Sequence, residues 1–435
     1  MNYIADLHIH SPYSRATSKE CSPAGLYAWA RTKGIQVIGS GDFTHPGWLR
    51  ILKEDLEPAE PGFLRFRSDI GTPLQPIQSS IAPVRFMLSA EISCIYKRLG
   101  AVRKVHNLVY VPDFASAERV SARLARIGNI LSDGRPILGL DSRDLLEIVL
   151  EEAPDGYLVP AHIWTPWFSL FGSKSGFDRI EECFGDLTQH VFALETGLSS
   201  DPDMNRMISA LDRFTLISNS DCHSPSRLGR EANLFSTGFD FYSLREALKS
   251  NSRELFRGTI EFFPEEGKYH LDGHRTCGIR FAPEETRRAE ALCPVCNKPL
   301  TIGVLHRVME LADRKEPLYS ANAPLFHSLI PLPELLGGIM GVGPGSKAVE
   351  RAYRHAIGHF GSEFGLLLHA QAEEIRDYSP LLGEAICRMR EERVIRQGGY
   401  DGKFGTIRLF EDEELHRLRD SVGPLPGEKP RSKQS

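Results

Sequence analysis

Asp6-Leu7-His8-Ile9-His10 sets two imidazoles two residues apart, the spacing that puts side chains on one side of an extended strand. His8 and His10 could therefore grip one ion together, with a carboxylate beside them. A second polar tip, Asp221-Cys222-His223, ends another apolar run some two hundred residues later. Between them lie Asp42 or His45, Glu91, His106 and His162, again beside apolar runs. Taken singly, His106 and His162 read as core or loop histidines and Glu91 as a helix-start cap. Taken jointly, at the ends of successive runs, they read as ligands. The set exceeds the needs of one ion, so two or three are expected, and mixed nitrogen and oxygen donors suit zinc or manganese. Glu91, with two oxygens, is the natural bridge. Ions about 4 Å apart clamp the attacking and leaving oxygens of a phosphoryl centre and lower a bound water's pKa to about 7. The chemistry implied is phosphoester hydrolysis.

To converge, these residues need a scaffold that brings strand ends together. Seven short apolar runs recur between helix-like or loop segments: Tyr3 to His8, Ile35 to Asp42, Phe86 to Glu91, His106 to Val111, Tyr157 to His162, Val191 to Glu195 and Thr215 to Asp221. Strands alternating with helical patterns predict a parallel sheet, and polar residues at strand ends predict a β/α barrel of about seven strands. Glu60 to Pro83, rich in Pro, Gly, Ser and Gln, reads as an excursion from it.

After about Ser250 the pattern changes. Leu255 to Phe263 looks strand-like, and Lys268 to Pro299 has few large apolar residues, so it needs a metal staple. His274, Cys277, Cys293 and Cys296 supply one: three thiolates and an imidazole close a tetrahedral structural zinc site, with His270 an alternative to His274. Cys94, Cys183 and Cys222 read as packed thiols. Helical periodicity dominates from Ile302 onward, and Gly423 to Ser435 reads as a disordered tail. The expected division is 1–262 barrel, 263–316 zinc-binding domain, 317–422 mainly helical C-terminal domain and 423–435 tail.

A chain of 435 residues with net charge -5 gives no global sign of nucleic-acid binding, so a polyanion would be met by local patches and metal ions. No apolar run is long enough to span a membrane, and eight cysteines without a secretory segment argue for a cytoplasmic protein. The loop after His162 carries Trp164, Trp167, Phe168 and Phe171. Such aromatics suit stacking on a base or wedging a duplex, Trp164 and Trp167 above all. The Gly-rich turn from Gly338 to Gly345 opens a helix at Ser346-Lys347. It lacks the spacing of a nucleotide P-loop but could offer backbone N–H groups, with Lys347, to a DNA phosphate.

Asp6-x-His8-x-His10-Ser11, Gly39-x-Gly41-Asp42, Glu91, His106, Pro160-Ala161-His162 and Ser220-Asp221-x-His223 resemble the motifs of the PHP (polymerase and histidinol phosphatase) superfamily. The resemblance covers about residues 1 to 250. It implies a distorted seven-stranded β/α barrel with a multinuclear metal site on His8, His10, Asp42, Glu91, His106, His162, Asp221 and His223. In one departure, Phe43 follows Asp42 where the motif has a histidine, so either Asp42 or His45 could face the metals. With the zinc knuckles and helical tail, and with Trp164-Thr165-Pro166-Trp167, Glu195-x-Gly197 and Arg227-Leu228-Gly229-Arg230-Glu231, the layout resembles the endonuclease Q family. That resemblance implies a DNA-repair endonuclease nicking 5′ of a deaminated base (hypoxanthine, uracil, xanthine) or an abasic site, leaving a 3′-hydroxyl and a 5′-phosphate. It further implies Glu195 and Asp201 as catalytic acid/base or extra ligand, and Arg227 and Arg230 on backbone phosphates. The implied cofactors are two or three divalent ions, Zn or Mn with Mg admitted, and one structural Zn. The chain is expected to act as a monomer on DNA, with other repair or replication proteins admitted as partners. A small-metabolite phosphatase and an inactive DNA-binding module are the competing readings.

Overall fold

A computed structural model describes residues 1–67, 83–422 and 425–428. Most of the expected 60–83 excursion and of the C-terminal tail lies outside them. In chain order the strands are β1 (Asn2–Asp6), β2 (Val37–Gly39), β3 (Leu56–Pro58), β4 (Leu64–Phe66), β5 (Arg85–Arg98), β6 (Ala101–Val111), β7 (Ile137–Leu138), β8 (Tyr157–Pro160) and β9 (Ala193–Glu195). There follow β10 (Thr215–Ile217), β11 (Ala232–Ser236), β12 (Phe256–Glu261), β13 (Asp272–His274), β14 (Ile279–Phe281), β15 (Leu325–Ser328), β16 (Ile395–Gln397) and β17 (Thr406–Arg408). Among the described residues no helix is long and apolar enough to cross a membrane.

Eleven strands form one mixed sheet in an otherwise helix-rich α/β architecture. β1 runs parallel to β2 and β2 parallel to β5, with Ala5 opposite Val37 and Val37 opposite Arg85. This register brings the residues after β1 and β2, and Glu91 within β5, to one end of the sheet. The wholly parallel arrangement expected from the sequence fails at β6, which pairs antiparallel with both β5 and β8. Leu99 and Gly100 both have positive φ (52° and 75°), the two-residue turn that folds a right-twisted hairpin. β5 and β6 thus extend through polar residues that the apolar pattern does not mark.

Alternate residues of the seven expected strands meet in one buried apolar cluster: Tyr3, Ala5, Val37, Met87, Leu108, Val159, Ala193 and Ile217. A period of two puts them on one face, while Ile4, Ile38, Phe86, Leu88 and Val109 pack outward against the helices. Among the described residues the hydrogen-bonded ladder does not close into a cylinder. β9 and β10 pair only with each other among the described residues.

β13 and β14 form a small hairpin beside the cysteines. The later chain is mainly helical, yet β15 returns to the main sheet and pairs parallel with β12. Helix Leu332–Met340 ends at Gly341, φ 66°, the left-handed cap position that glycine adopts without penalty. Helix Lys347–Phe360 then starts where the Ser346 side chain accepts from Val349 N. It buries Val349, Ala352, Tyr353, Ala356 and Ile357, the i, i+3, i+4 stripe of an amphipathic helix.

Candidate metal centre

Register explains how distant residues converge. Beyond β1 the chain stays extended, and Ile9 bridges to Cys222, with His10 N donating to Cys222 O at 3.1 Å. This lays His8 and His10 alongside Asp221. Glu91 faces Leu108 and His106 faces Ser93 across β5 and β6, so Glu91 and His106 are diagonal neighbours on one face. His162 follows the end of β8. Three of the residues so placed have left-handed backbones, namely Asp42 (φ 49°), His162 (φ 30°) and Asp221 (φ 46°). Non-glycine residues held there are uncommon and concentrate at functional sites.

Two groups of potential ligand atoms result: His8, His10, Glu91 and Asp221, and Glu91, His106 and His162. Glu91 belongs to both, one oxygen to each. Its Oε1 lies 2.6 Å from His106 Nδ1 and 3.1 Å from His162 Nε2. Its Oε2 lies 3.2 Å from His10 Nε2 and 3.6 Å from His8 Nε2. Asp221 Oδ1 completes the first group at 2.9 Å from His10 Nε2. His8 Nε2 is buried and has no hydrogen-bond partner among the described residues, as expected of a nitrogen shaped for an ion. The chemistry of the donor set therefore fits divalent metals.

The electrostatics agree. Burial disfavours the imidazolium of His8 and His10, yet Glu195, Asp221, Asp42 and Glu91 outweigh it and hold both well above the usual histidine range. A field that favours a proton at those nitrogens also favours a cation. Against the burial that opposes it, Asp221 is held well below the carboxylate range by His8 and His10. His106 differs: burial pushes it down to about 4, so its ring is neutral near pH 7 and able to ligate.

Two expected site residues, Asp42 and Glu195, lie outside both groups. Asp42 stands behind His10, with Oδ1 3.2 Å from the ring's Nδ1, while its Oδ2 accepts from Ser11 N, Ser11 Oγ and Ser14 Oγ at 2.6 to 2.8 Å. Glu195 stands likewise behind His8, 3.0 Å from Nδ1, and accepts from Asn219 Nδ2 and His162 N. With their oxygens so engaged, both carboxylates orient a histidine and neither joins a ligand group. His45 lies elsewhere, capping helix Pro46–Asp55 and reaching Leu131 O. Asp201, a catalytic candidate by sequence, spends its carboxylate on Met204 N as the cap of helix Pro202–Asn205. His223 sits edge-on to His10 at 4.5 Å but outside both groups.

Sequence reading missed Arg135, whose guanidinium lies 3.0 Å from Glu91 Oε2, and the orienting roles of Ser11, Ser14 and Asn219. Arg135 arrives on the turn Ser132-Asp133-Gly134-Arg135-Pro136, which carries turn formers and no metal-ligand spacing.

In the aromatic loop Trp164 is 1% exposed, its Nε1 donates to Asn205 Oδ1 and its ring packs on Phe171, so it packs as core. Trp167 is 43% exposed. Phe168 packs on the His106 ring at 4.6 Å. Arg227 and Arg230 line an open recess of about 610 Å³ with Thr17, Ser18, Asp221 and His223, although Arg227 also pairs with Glu334. Lys347 is exposed at the start of its helix.

Away from this centre, His274, Cys277, Cys293 and Cys296 bring nitrogen and sulfur atoms within 4.8 Å of one another. Cys293 N donates to Lys298 O and Asn297 N to Cys293 O, the tight knuckle that lets Cys293 and Cys296 face one point. His270 is buried and outside the group, and Cys94, Cys183 and Cys222 are buried free thiols.

Comparison with known proteins extends this geometry. A family model described as the MJ0043 C-terminal domain matches residues 331–393, the segment holding the two helices about the Gly-rich turn. The chain is 34% identical over 267 residues to the uncharacterized protein MJ0043 of Methanocaldococcus jannaschii, covering 60% of this chain and 33% of that one. It thus spans a third of that archaeal relative's length. It is 28% identical over 424 residues to the uncharacterized protein YqxK of Bacillus subtilis, covering 93% of this chain and 98% of that one. Among solved structures, the lesion-specific endonuclease PfuEndoQ from Pyrococcus furiosus matches with a TM-score of 0.82 and 30% identity, over 96% of this chain and 99% of that one. Endonuclease Q in complex with a 27-mer duplex carrying an abasic lesion at the active site matches equally, with a TM-score of 0.82 and 31% identity over 97% and 100% of the two chains. With one fold and this identity sustained from end to end, the chain belongs to the endonuclease Q family.

Proposed function

We propose that this chain is a DNA-repair endonuclease that hydrolyses the phosphodiester on the 5′ side of a deaminated nucleotide or an abasic site. The observation that carries the reading is Glu91, one oxygen turned to His8 and His10 and the other to His106 and His162, in a chain of the endonuclease Q family. Two or three divalent ions, zinc or manganese with magnesium admitted, would be held by His8, His10, Glu91, His106, His162 and Asp221, with His223 at the rim. When bound, such ions supply an acidified water and neutralise charge on the reacting phosphoryl group. Glu195 and Asp42 fix the rings of His8 and His10, and Arg135 adds a positive charge beside Glu91 that can meet the phosphate. Arg227, Arg230 and Lys347 would hold neighbouring backbone phosphates. A weakly paired lesion leaves the stack at least cost, which favours such nucleotides as substrates.

In this reading residues 1–262 form the metal-bearing PHP-type barrel, 263–316 the zinc-binding domain and 317–422 the helical DNA-contacting domain. The inner apolar cluster shared by seven strands supports a barrel-like core. The test is incubation with end-labelled duplexes carrying one uracil, hypoxanthine, xanthine or abasic site, with manganese, magnesium or zinc supplied. A single nick 5′ of the lesion is expected. Turnover of free phosphate monoesters without any lesion-dependent nick would replace this function with that of a small-molecule phosphatase.

A further inference from the structure

Much of the surface cationic charge is paired internally, as Arg143 is with Glu147 and Asp186 and Arg388 with Glu384 and Glu414. Lys268, Arg275 and Lys403 are exposed and make no ion pair among the described residues. Two of them lie over aromatic rings instead: Lys268 Nζ is 5.7 Å from the Tyr269 ring and 5.9 Å from that of Phe404, and Lys403 Nζ is 5.9 Å from that of Tyr400. Phe404 is 72% exposed, more than any other large apolar side chain among the described residues. Trp167 meets Tyr269 edge-on at 5.7 Å.

Three separate stretches build this surface, and backbone hydrogen bonds sew two of them together. Gly399 N donates to Glu265 O and Gly402 N to Lys268 O, both at 2.8 Å, while Leu271 N donates back to Gly399 O at 2.8 Å. Gly402, φ 83°, turns the loop where a side chain would crowd Arg275. The third stretch is anchored to the metal centre, because the residue after Trp167 packs on His106. Exposed aromatic rings interleaved with unpaired cations, on a rigid frame beside a phosphoesterase centre, match a partner with stacked bases and a phosphate backbone. An acidic peptide would use the cations and leave Phe404 bare.

Resting on the endonuclease reading, we infer that Trp167, Tyr269 and Phe404, with Lys268, Arg275 and Lys403, form a preorganised ridge that grips duplex DNA beside the lesion. Phe404 enters the stack at the place an everted nucleotide leaves. Apolar wedges of this kind offset part of the unstacking cost.

The test uses the full chain carrying Asp221→Asn, which prevents cleavage, and a uracil duplex with 2-aminopurine next to the lesion. Binding is expected to raise the 2-aminopurine fluorescence. Adding Phe404→Ala should remove the rise and weaken binding about tenfold, whereas Phe404→Trp restores both. Replacing Lys268 and Lys403 by alanine should lower the slope of log affinity against log salt by about 2. In the otherwise unaltered enzyme, Phe404→Ala should slow nicking of the lesion-bearing duplex about tenfold, and Phe404→Trp should restore it. Full fluorescence and unchanged affinity in the Phe404→Ala chain would overturn the ridge. Should the parent nick no lesion at all, the endonuclease reading falls, and fluorescence and salt slope still decide the ridge.

Discussion

At His8 and His10, whether a carboxylate joins the ligand group or stands behind the ring is decided by which ring nitrogen it meets. Glu91 meets Nε2 of His8, His10 and His162, whereas Asp42 and Glu195 meet Nδ1 of His10 and His8. Spacing along the chain identifies all three acids as belonging to the site, but nothing in it encodes the ring face, which depends on side-chain rotation. Replacing Glu195 by Gln should therefore weaken metal binding about 10- to 100-fold without removing a ligand, as outer partners of metal histidines do. Titration calorimetry with manganese or zinc measures this, and an unchanged affinity would return Glu195 to a different role. Asp221→Asn removes a member of the ligand group itself, so nicking should vanish while the chain still binds duplex DNA in a mobility-shift assay. Loss of both properties together would point to misfolding and away from a ligand role.

Apolar runs marked the inward strands well because their alternate residues share one core, Tyr3, Ala5, Val37 and Met87 among them. The β5–β6 hairpin was not legible, since its outer half is polar and its turn, Leu99-Gly100, lacks the usual Asn-Gly signal. The aromatic loop misled for another reason: Trp164 and Trp167 are alike in sequence, yet Asn205 supplies a buried acceptor for the first alone. Trp164→Ala should cost about 3–5 kcal/mol of stability through the cavity it leaves. Urea denaturation checks the cost, and a stable variant defective only in DNA binding would contradict it. β12 carries a titrating group. Burial, assisted by Asp201, pushes Glu261 up to about 8, against an unfolded value of about 4.3. Between those values the folded state holds the extra proton, so stability falls as pH rises through that window and is flat above it. Glu261→Gln should remove its share of that decline, the remainder belonging to the other carboxyl groups that burial raises, Glu231, Glu266, Asp201 and Asp6. Urea midpoints measured across the window test this, and an unaltered slope would show that Glu261 is already ionised.

The parts of the molecule are less separate than a division at residues 262 and 316 implies. β15 lies beyond the His274 and cysteine group yet pairs into the main sheet, and Tyr400 bridges to Leu271 from a hairpin more than a hundred residues later. Asp401 ties the same hairpin to Thr301 and to Arg275 N. The C-terminal loop therefore rests on the cysteine module, whose own framework is two short strands and little apolar core. With zinc bound, such a module would draw its folding energy from the metal, about 10–16 kcal/mol in isolated zinc peptides near pH 7. Cys296→Ser should thus lower bound zinc by one ion per chain, because Cys296 closes the group with His274, Cys277 and Cys293. Hydrogen exchange should then rise both in residues 267–300 and in the distant 398–405 loop, whose amides depend on Glu265, Glu266 and Lys268 carbonyls. The strands of the main sheet, packed on their own core, should keep their protection. Exchange that rises around the cysteines alone would show that the loop stands without them, and unchanged zinc content would remove the metal from the module altogether.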